Sequence, residues 1–307
     1  MLKGQKILVT GVSGQVAFPI AAYLAADNDV WGAARLADPA AVERLKAAGI
    51  TPFSMDIGSG EYGDLPDDFA YVLHFAFMRG SSGAFDKAMQ TNGEGTGMIL
   101  SHCRKAKAAI VVSSAAIYAP HPDHEHRHTE EGDLGRGFAP WSPTSPPTKI
   151  AMEATARFAA RLLNLPVTIV RLNTVYGSPE NQPSLHVRQI LAGQPVAVPG
   201  APNNHSPIHV DDMCEQIEPL LAAASVPATI VNWAGDEMVS SQEWCRMAGE
   251  MTGHEAVIQL LDLPGAANGY VADTTRRMAI TGPCKVKFAD GFRRVVEAEI
   301  AAIGAKR

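Results

Sequence analysis
A stretch near the start of the chain, Lys6-Ile-Leu-Val-Thr-Gly-Val-Ser-Gly-Gln-Val-Ala17, constrains the fold more than any other. Ile7, Leu8 and Val9 form a short apolar run that suits a strand of a parallel sheet covered on both faces. Gly11 ends the run, since a residue without a Cβ lets the chain reverse sharply. Gly14 lets a pyrophosphate approach the backbone N–H groups that open the following helix. Ala17 holds the third position of a glycine fingerprint, where a methyl still permits close packing of helix on strand. Strand, tight turn and helix start therefore predict the first unit of a dinucleotide-binding sheet. A plain strand-to-helix turn without a ligand has the same spacing, so the rest of the chain has to decide.

The first half of the chain alternates strand and helix signals. Val16, Ile20, Ala21, Leu24 and Ala25 recur at helical spacing between Gly14 and Ala26, with Pro19 confined to the first turns. Val30 to Arg35 reads as a second strand, Pro39 to Ala48 as a second helix, and Ile50 to Asp56 as a third strand. A fourth strand follows at Tyr71 to Ala76, a helix from about Ala84 to Lys105, and a fifth strand at Ala109 to Ser113. This alternation predicts an α/β fold, a doubly wound parallel sheet of Rossmann type with right-handed crossovers. Arg35 bears on the cofactor. In such folds the end of the second strand faces the adenine ribose, where a carboxylate accepts the 2′-OH of NAD and an arginine accommodates the 2′-phosphate of NADP. Gly32-Ala-Ala-Arg35 offers no acid and a permanent planar cation, so NADP(H) is the preferred cofactor, with NAD(H) allowed. Asp56 either reaches the adenine amino group or caps a turn.

With 307 residues, 46% hydrophobic and 19% charged, the chain can bury a large core and is long for one simple domain. Residues 1–175 are expected to form the dinucleotide-binding domain, with 205–235 returning to it and 176–307 mainly a substrate-binding lobe. A net charge of −6 with no basic block argues against nucleic acid or an anionic membrane as partner. No apolar run reaches membrane-spanning length, and the first strand begins without a signal-peptide core, so a cytoplasmic location is expected. Cys103, Cys214, Cys245 and Cys284 lie far apart without C-x-x-C spacing, which speaks for buried thiols and against zinc or a disulfide framework.

Several motifs in order resemble the extended branch of the short-chain dehydrogenase/reductase superfamily, the NAD-dependent epimerase/dehydratase family. Thr10-Gly11-Val-Ser13-Gly14-Gln15-Val16-Ala17 resembles its T-G-x-x-G-x-x-G loop, Leu73-His74-Phe75-Ala76 its h-x-A element, and Asn92 with Gly95-Thr96 its N-x-x-G-T helix. Val112-Ser-Ser114-Ala-Ala-Ile-Tyr118 resembles the segment that carries the catalytic serine. Val170 to Gly177, with Leu172 and Thr174, resembles the segment bordering the nicotinamide, and Ile208-His-Val-Asp-Asp212 the v-D-D signature. The resemblance implies a cofactor site built from Thr10, Gly11, Ser13, Gly14, Gln15, Val16, Arg35, Asp56, Ile57, Phe75, Ala76, Asn92, Lys149, Leu172 and Thr174. It also implies a small-molecule substrate and a homodimer formed through the long helices of the middle section.

The resemblance implies a catalytic set of serine, tyrosine and lysine, in which serine orients the substrate oxygen, tyrosine exchanges its proton, and lysine lowers the tyrosine pKa while holding the nicotinamide ribose. Ser114 is the best serine, with Ser113 second. Lys149, followed by Ile-Ala-Met-Glu153, is the lysine. The tyrosine position, four residues earlier and one helical turn away, holds Ser145. Three readings follow. The proton comes from Tyr118, from a histidine of the run His121, His124, His126 and His128, or from water organised by Ser114 and Ser145. Alternatively only hydride moves, as in enone reduction by the progesterone 5β-reductase and iridoid synthase group. Lastly, the chain binds NADP as a regulatory protein without turnover.

The histidine run lacks the H-x-x-x-H geometry of a preformed site, so no metal is expected and a polar loop near the active site is. Further on, nucleotide-sugar enzymes of this family hold a diphosphate-gripping arginine where this chain has His205, which points to a smaller, less charged substrate unless Arg188 or Arg276 substitutes. Phe138, Trp141, Trp233 and Met238 are candidates for a pocket wall or for core. The sequence thus reads as an NADP-preferring oxidoreductase acting on a carbonyl, enone or alcohol, using Ser114, Lys149, Ser145 and Tyr118. An epimerase or dehydratase with a transiently oxidised substrate is the alternative.

Overall fold
The computed structural model of the protein describes residues 2–135, 142–261, 263 and 268–304. The first half contains β1 (Lys6–Thr10), α1 (Ala17–Ala25), β2 (Asp29–Ala34), α2 (Pro39–Ala47), β3 (Thr51–Ser54), β4 (Tyr71–His74), α3 (Phe85–Met89), α4 (Gly95–His102) and β5 (Ala108–Ser114). After the short β6 (Arg127–His128) come α5 (Ser145–Leu163), β7 (Val167–Leu172), β8 (Val175–Tyr176), α6 (Gln182–Leu191), β9 (Val196–Val198), β10 (Asn204–His205), β11 (Ile208–His209) and α7 (Val210–Ala222). The chain closes with β12 (Thr229–Trp233), β13 (Val239–Ser240), α8 (Ser241–Thr252), β14 (Ile258–Leu260), β15 (Gly269–Ala272), α9 (Thr275–Thr281) and α10 (Phe288–Gly304).

Seven strands form one sheet in the order β12-β7-β5-β4-β1-β2-β3, and every neighbouring pair is parallel. Both faces are covered, which is why the strands read as continuous apolar runs. Successive side chains still alternate: Ile7, Val9, Ile110 and Val112 pack with α1 and α7, whereas Leu8, Ala109 and Val111 pack with α4 and α5. Each fully buried aliphatic side chain contributes roughly 1.5 to 3 kcal/mol relative to exposure. The helix expected from about Ala84 to Lys105 is interrupted, with a π-helical turn at Gln90–Glu94 between α3 and α4. Pro19 falls in the first turn of α1, where its missing N–H has no helical acceptor to lose.

The strand order reverses between β1 and β4, so their C-terminal ends diverge into a crevice. Gly11 sits there with φ +69°, and a Cβ on it would lie 2.8 Å from the Ala76 backbone. A third apolar cluster, outside the sheet, joins α6, α8 and α10 through Val187, Trp244 and Phe292. A four-stranded sheet, β13-β10-β15-β6, carries part of the second half across to the segment after β5. Among the described residues no helix is long and apolar enough to cross a membrane.

Candidate active site
One groove runs over the crevice in two halves that share Gly11, Gly14, Phe75 and Phe77. The first half, about 580 Å³, is walled by Thr10, Ser13, Arg35, Asp56, Ile57 and Ala76. The buried His74 ring bridges Thr10 Oγ1 at 2.8 Å and Thr96 Oγ1 at 2.9 Å. Burial, aided by Lys149, lowers its pKa to about 3, so the bridge is neutral. Thr10 Oγ1 in turn accepts from the Ala76 N–H at 3.2 Å, which fixes the floor of the crevice. The start of α1 has no side-chain cap and no acid in its first turn, leaving its N-terminal dipole to face the groove. Arg35 is exposed at the far end, and Arg44, which sequence reasoning passed over, reaches the Ser13 carbonyl at 3.1 Å. Asp56 caps a turn by accepting from the Gly58 N–H at 2.9 Å, a bond that, with Lys87 nearby, holds its carboxyl below the usual range.

The second half, about 430 Å³, brings together Gln15, Val16, Arg79, Ser113, Ser114, Ser145, Lys149, Leu172, Asn173, Thr174, His205 and Tyr270. Ser145 opens α5, and Pro146 and Pro147 follow where a helix tolerates them. Thr144 does not cap the helix. Its hydroxyl instead bonds both backbone groups of Gly80 at 3.1 Å, tying α5 to the segment after β4. One turn into α5, Lys149 is 5% exposed, donates to the Val112 carbonyl at 2.5 Å, and lies 4.1 Å over the Phe77 ring. Burial pulls its pKa down to about 7 against the opposing pull of Glu153. The next turn carries Glu153, paired with buried Arg171 of β7 through two bonds of 3.0 and 2.9 Å.

Ser114 lines the groove, although its Oγ already accepts from the Ala116 N–H at 3.1 Å. Of the serines lining this half, Ser113, the second choice from sequence, has a buried Oγ without a partner, and Gln15 Oε1, also lining it, is buried and unpartnered. Such orphaned atoms are what a site built for a polar ligand leaves behind.

Other expected residues lie elsewhere. Tyr118 does not reach the groove: 1% exposed, it donates to Asn232 Oδ1 at 2.6 Å and accepts from Arg171 at 3.1 Å, because its register faces the buried ion pair. Asn92 also misses it, its amide being taken up by the Met78 backbone and by Thr148 at 2.7 to 2.9 Å. None of the four histidines of the run lines the groove; His121 and His126 stack at 3.8 Å, and His128 lies behind Tyr270 at 5.7 Å. Among the described residues no group of three or more ligating side chains is placed to hold a metal.

Arg188 and Arg276 offer no free guanidinium for a phosphate, since Arg188 is held by Glu299 and Glu180 and Arg276 by Glu131. His205 lines the groove, but burial lowers its pKa to about 3, and its two nitrogens are occupied by Thr174 and Asn203. Trp233 is 0% exposed in the core, and Met238 lines neither half of the groove. Phe138 and Trp141 lie outside the described residues. Tyr270, Asn173 and Arg79 were missed from sequence; they reach the groove through β15, the end of β7 and the segment after β4.

The model of the NAD-dependent epimerase/dehydratase family matches residues 7–233. No protein of curated function matches the sequence. Solved structures similar to the chain include a UDP-glucuronic acid 4-epimerase from Bacillus cereus in complex with UDP-glucuronic acid and NAD, at 20% identity and TM-score 0.81, covering 97% of this chain and 99% of that one. A dTDP-glucose 4,6-dehydratase from Streptomyces venezuelae, with NAD and TYD bound, is 22% identical with TM-score 0.80, covering 97% and 98%. A UDP-glucose 4-epimerase from Thermotoga maritima, with UDP-glucose, is 19% identical with TM-score 0.80, covering 97% and 99%.

Proposed function
The chain belongs to the NAD-dependent epimerase/dehydratase family, and from that premise we propose that it oxidises and re-reduces a hydroxyl-bearing carbon of a small polar substrate while one nicotinamide cofactor stays bound. The observation that carries the reading is the continuous groove from Arg35 to Lys149 across the Gly11–Gly14 turn. Unpartnered Ser113 Oγ and Gln15 Oε1 on its wall support a polar occupant. The similar structures are of epimerases and a dehydratase, which favours this chemistry over simple net oxidation or reduction.

When bound, the dinucleotide supplies a reversible hydride acceptor. The chain's own residues do the rest. The open N-terminus of α1 would receive the pyrophosphate. Arg35, with Arg44 near Ser13, favours the 2′-phosphate of NADP, and Asp56 and Ile57 border the adenine. Lys149, with Leu172 and Thr174 lining the same cavity, would hold the nicotinamide ribose, and Ser114 would orient the substrate oxygen. Ser145 orders water, because an aliphatic hydroxyl titrates too high to release its proton directly. Residues 1–175 with 205–235 bind the cofactor, and 176–307 mainly shape the substrate side through His205. A neutral His205 and carboxylate-bound Arg188 and Arg276 argue for a substrate without a diphosphate. Two copies pair through α4 and α5, where Phe158 and Leu162 are 64% and 67% exposed.

Calorimetry with NADP+ and NAD+, then incubation of the loaded protein with sugars, polyols and hydroxy acids, tests the reading. Isomerised or dehydrated product is expected without accumulation of reduced cofactor. Stoichiometric reduced cofactor would assign a net dehydrogenase instead, and no binding of either dinucleotide would end the reading. Net NADP-linked reduction of an enone is the second reading, favoured by Ser145 at the tyrosine position, because hydride transfer to an activated carbon needs no strong acid.

A further inference from the structure
Among the described residues, the half of the groove that holds Ser114 and Lys149 contains one phenol, and it comes from a distant part of the chain. Tyr270 lies in β15, whose parallel pairing with β10 sets it beside His205. Its carbonyl accepts from Asn173 Nδ2 at 2.9 Å, which ties β15 to the end of β7. Behind the ring stands His128 at 5.7 Å, which burial keeps neutral with a pKa of about 4. The Tyr270 hydroxyl points to the Ala116 carbonyl, two residues beyond Ser114, at 3.5 Å. That is the outer limit of a hydrogen bond, so the hydroxyl can turn to a ligand at little cost. The other candidate, Tyr118, is locked between Asn232 and Arg171.

We propose that Tyr270 is the general acid and base of this site, supplying from a strand on the substrate side the phenol that α5 lacks at Ser145. The inference rests on the nicotinamide-dependent reading above. In the oxidative direction the substrate O–H bond breaks and its proton passes to the Tyr270 phenolate. The adjoining C–H bond breaks and its electron pair leaves with the hydrogen, as hydride, to the oxidised nicotinamide. The return step reverses both transfers, so atoms and electrons balance.

The test needs no substrate. Burial holds the Tyr270 pKa up at about 12 in the free protein. A positively charged nicotinamide bound close to the phenol would favour its phenolate form and bring this pKa down. Ultraviolet difference titration of the protein with and without saturating NADP+ or NAD+, in wild type and Tyr270→Phe, reads this directly. The expected result is phenolate absorbance appearing at lower pH in the wild-type complex and missing in the Tyr270→Phe complex. Dinucleotide affinity should stay within about twofold, since the lost hydroxyl makes only the 3.5 Å contact. Calorimetry on both proteins verifies binding and folding. If the dinucleotide binds and no phenol shifts, or the shift persists in Tyr270→Phe, the proposal is overturned while the cofactor reading stands. If neither dinucleotide binds to wild type, the cofactor reading falls and the proposal with it.

Discussion

Removing Glu153 should unmask how α5 is held. Its carboxylate meets Arg171 in two bonds, with side-chain exposures of 5% and 2%. Burial works against the guanidinium charge, yet the bonded Glu153 outweighs it and raises the Arg171 pKa. Glu153→Ala leaves that charge buried with only the Tyr118 hydroxyl and the Glu130 carbonyl as acceptors. Breaking a buried pair from one side costs about 3 to 5 kcal/mol. With roughly 2.1 cal/mol/K of unfolding entropy per residue over 307 residues, the melting temperature falls by about 5 to 8 °C. The assay is thermal and urea unfolding followed by circular dichroism at constant protein concentration. Glu153→Leu combined with Arg171→Met removes both charges and should recover at least half of the loss, because most of the cost is the orphaned charge. A single variant within about 1 kcal/mol of wild type, or a double variant worse than the single, would refute the reasoning.

Three further outcomes follow from the geometry. Arg35→Ala is expected to weaken NADP+ binding by about 10- to 100-fold, the worth of a charged hydrogen bond, while leaving NAD+ nearly unchanged; equal losses in calorimetry would remove Arg35 from the cofactor site. Burial lowers the folded-state pKa of His74 and His205 to about 3 and of His128, His186 and His209 to about 4. Their unfolded values are higher, so the unfolded state binds more protons in between, and stability is lost as pH falls from about 6.5 toward 4; a urea midpoint that is flat across this window would contradict it. Ser145→Tyr, one helical turn from Lys149, is expected to speed reduction of small carbonyls by about tenfold or more if the ring is admitted beside Pro146. An unchanged rate with cofactor binding intact would show that Lys149 is not poised to serve a phenol at that position.

The glycine turn and the first five strands were legible because their signals are local: a glycine where Ala76 leaves no room for a Cβ, and apolar runs whose two faces are both covered. Lys149 and Ser145 were placed by the resemblance to the family's lysine-bearing helix, whose tyrosine stands four residues earlier, since four residues in a helix return to the same face. Local signals also misled. Tyr118 follows Ser114 so closely in sequence that it reads as a site residue, yet the turn after β5 sends its hydroxyl into the ion-pair network. Asn92 matched a motif, but the π-helical turn points its amide at Met78 and Thr148.

What the sequence by itself determined is the sheet, its crevice and the residue types along one wall, because hydrophobic period and turn chemistry act over a few neighbours. What only the tertiary structure decided is the opposite wall and the electrostatics. Tyr270 reaches the groove through a pairing with β10, 65 positions upstream, and the neutralised arginines depend on carboxylates as distant as Glu299. The lowered pKa of Lys149 is likewise a property of its burial between β5 and Phe77. Contacts of that separation leave no periodic trace in the chain, since they are fixed by how whole elements pack rather than by the spacing of residues within one.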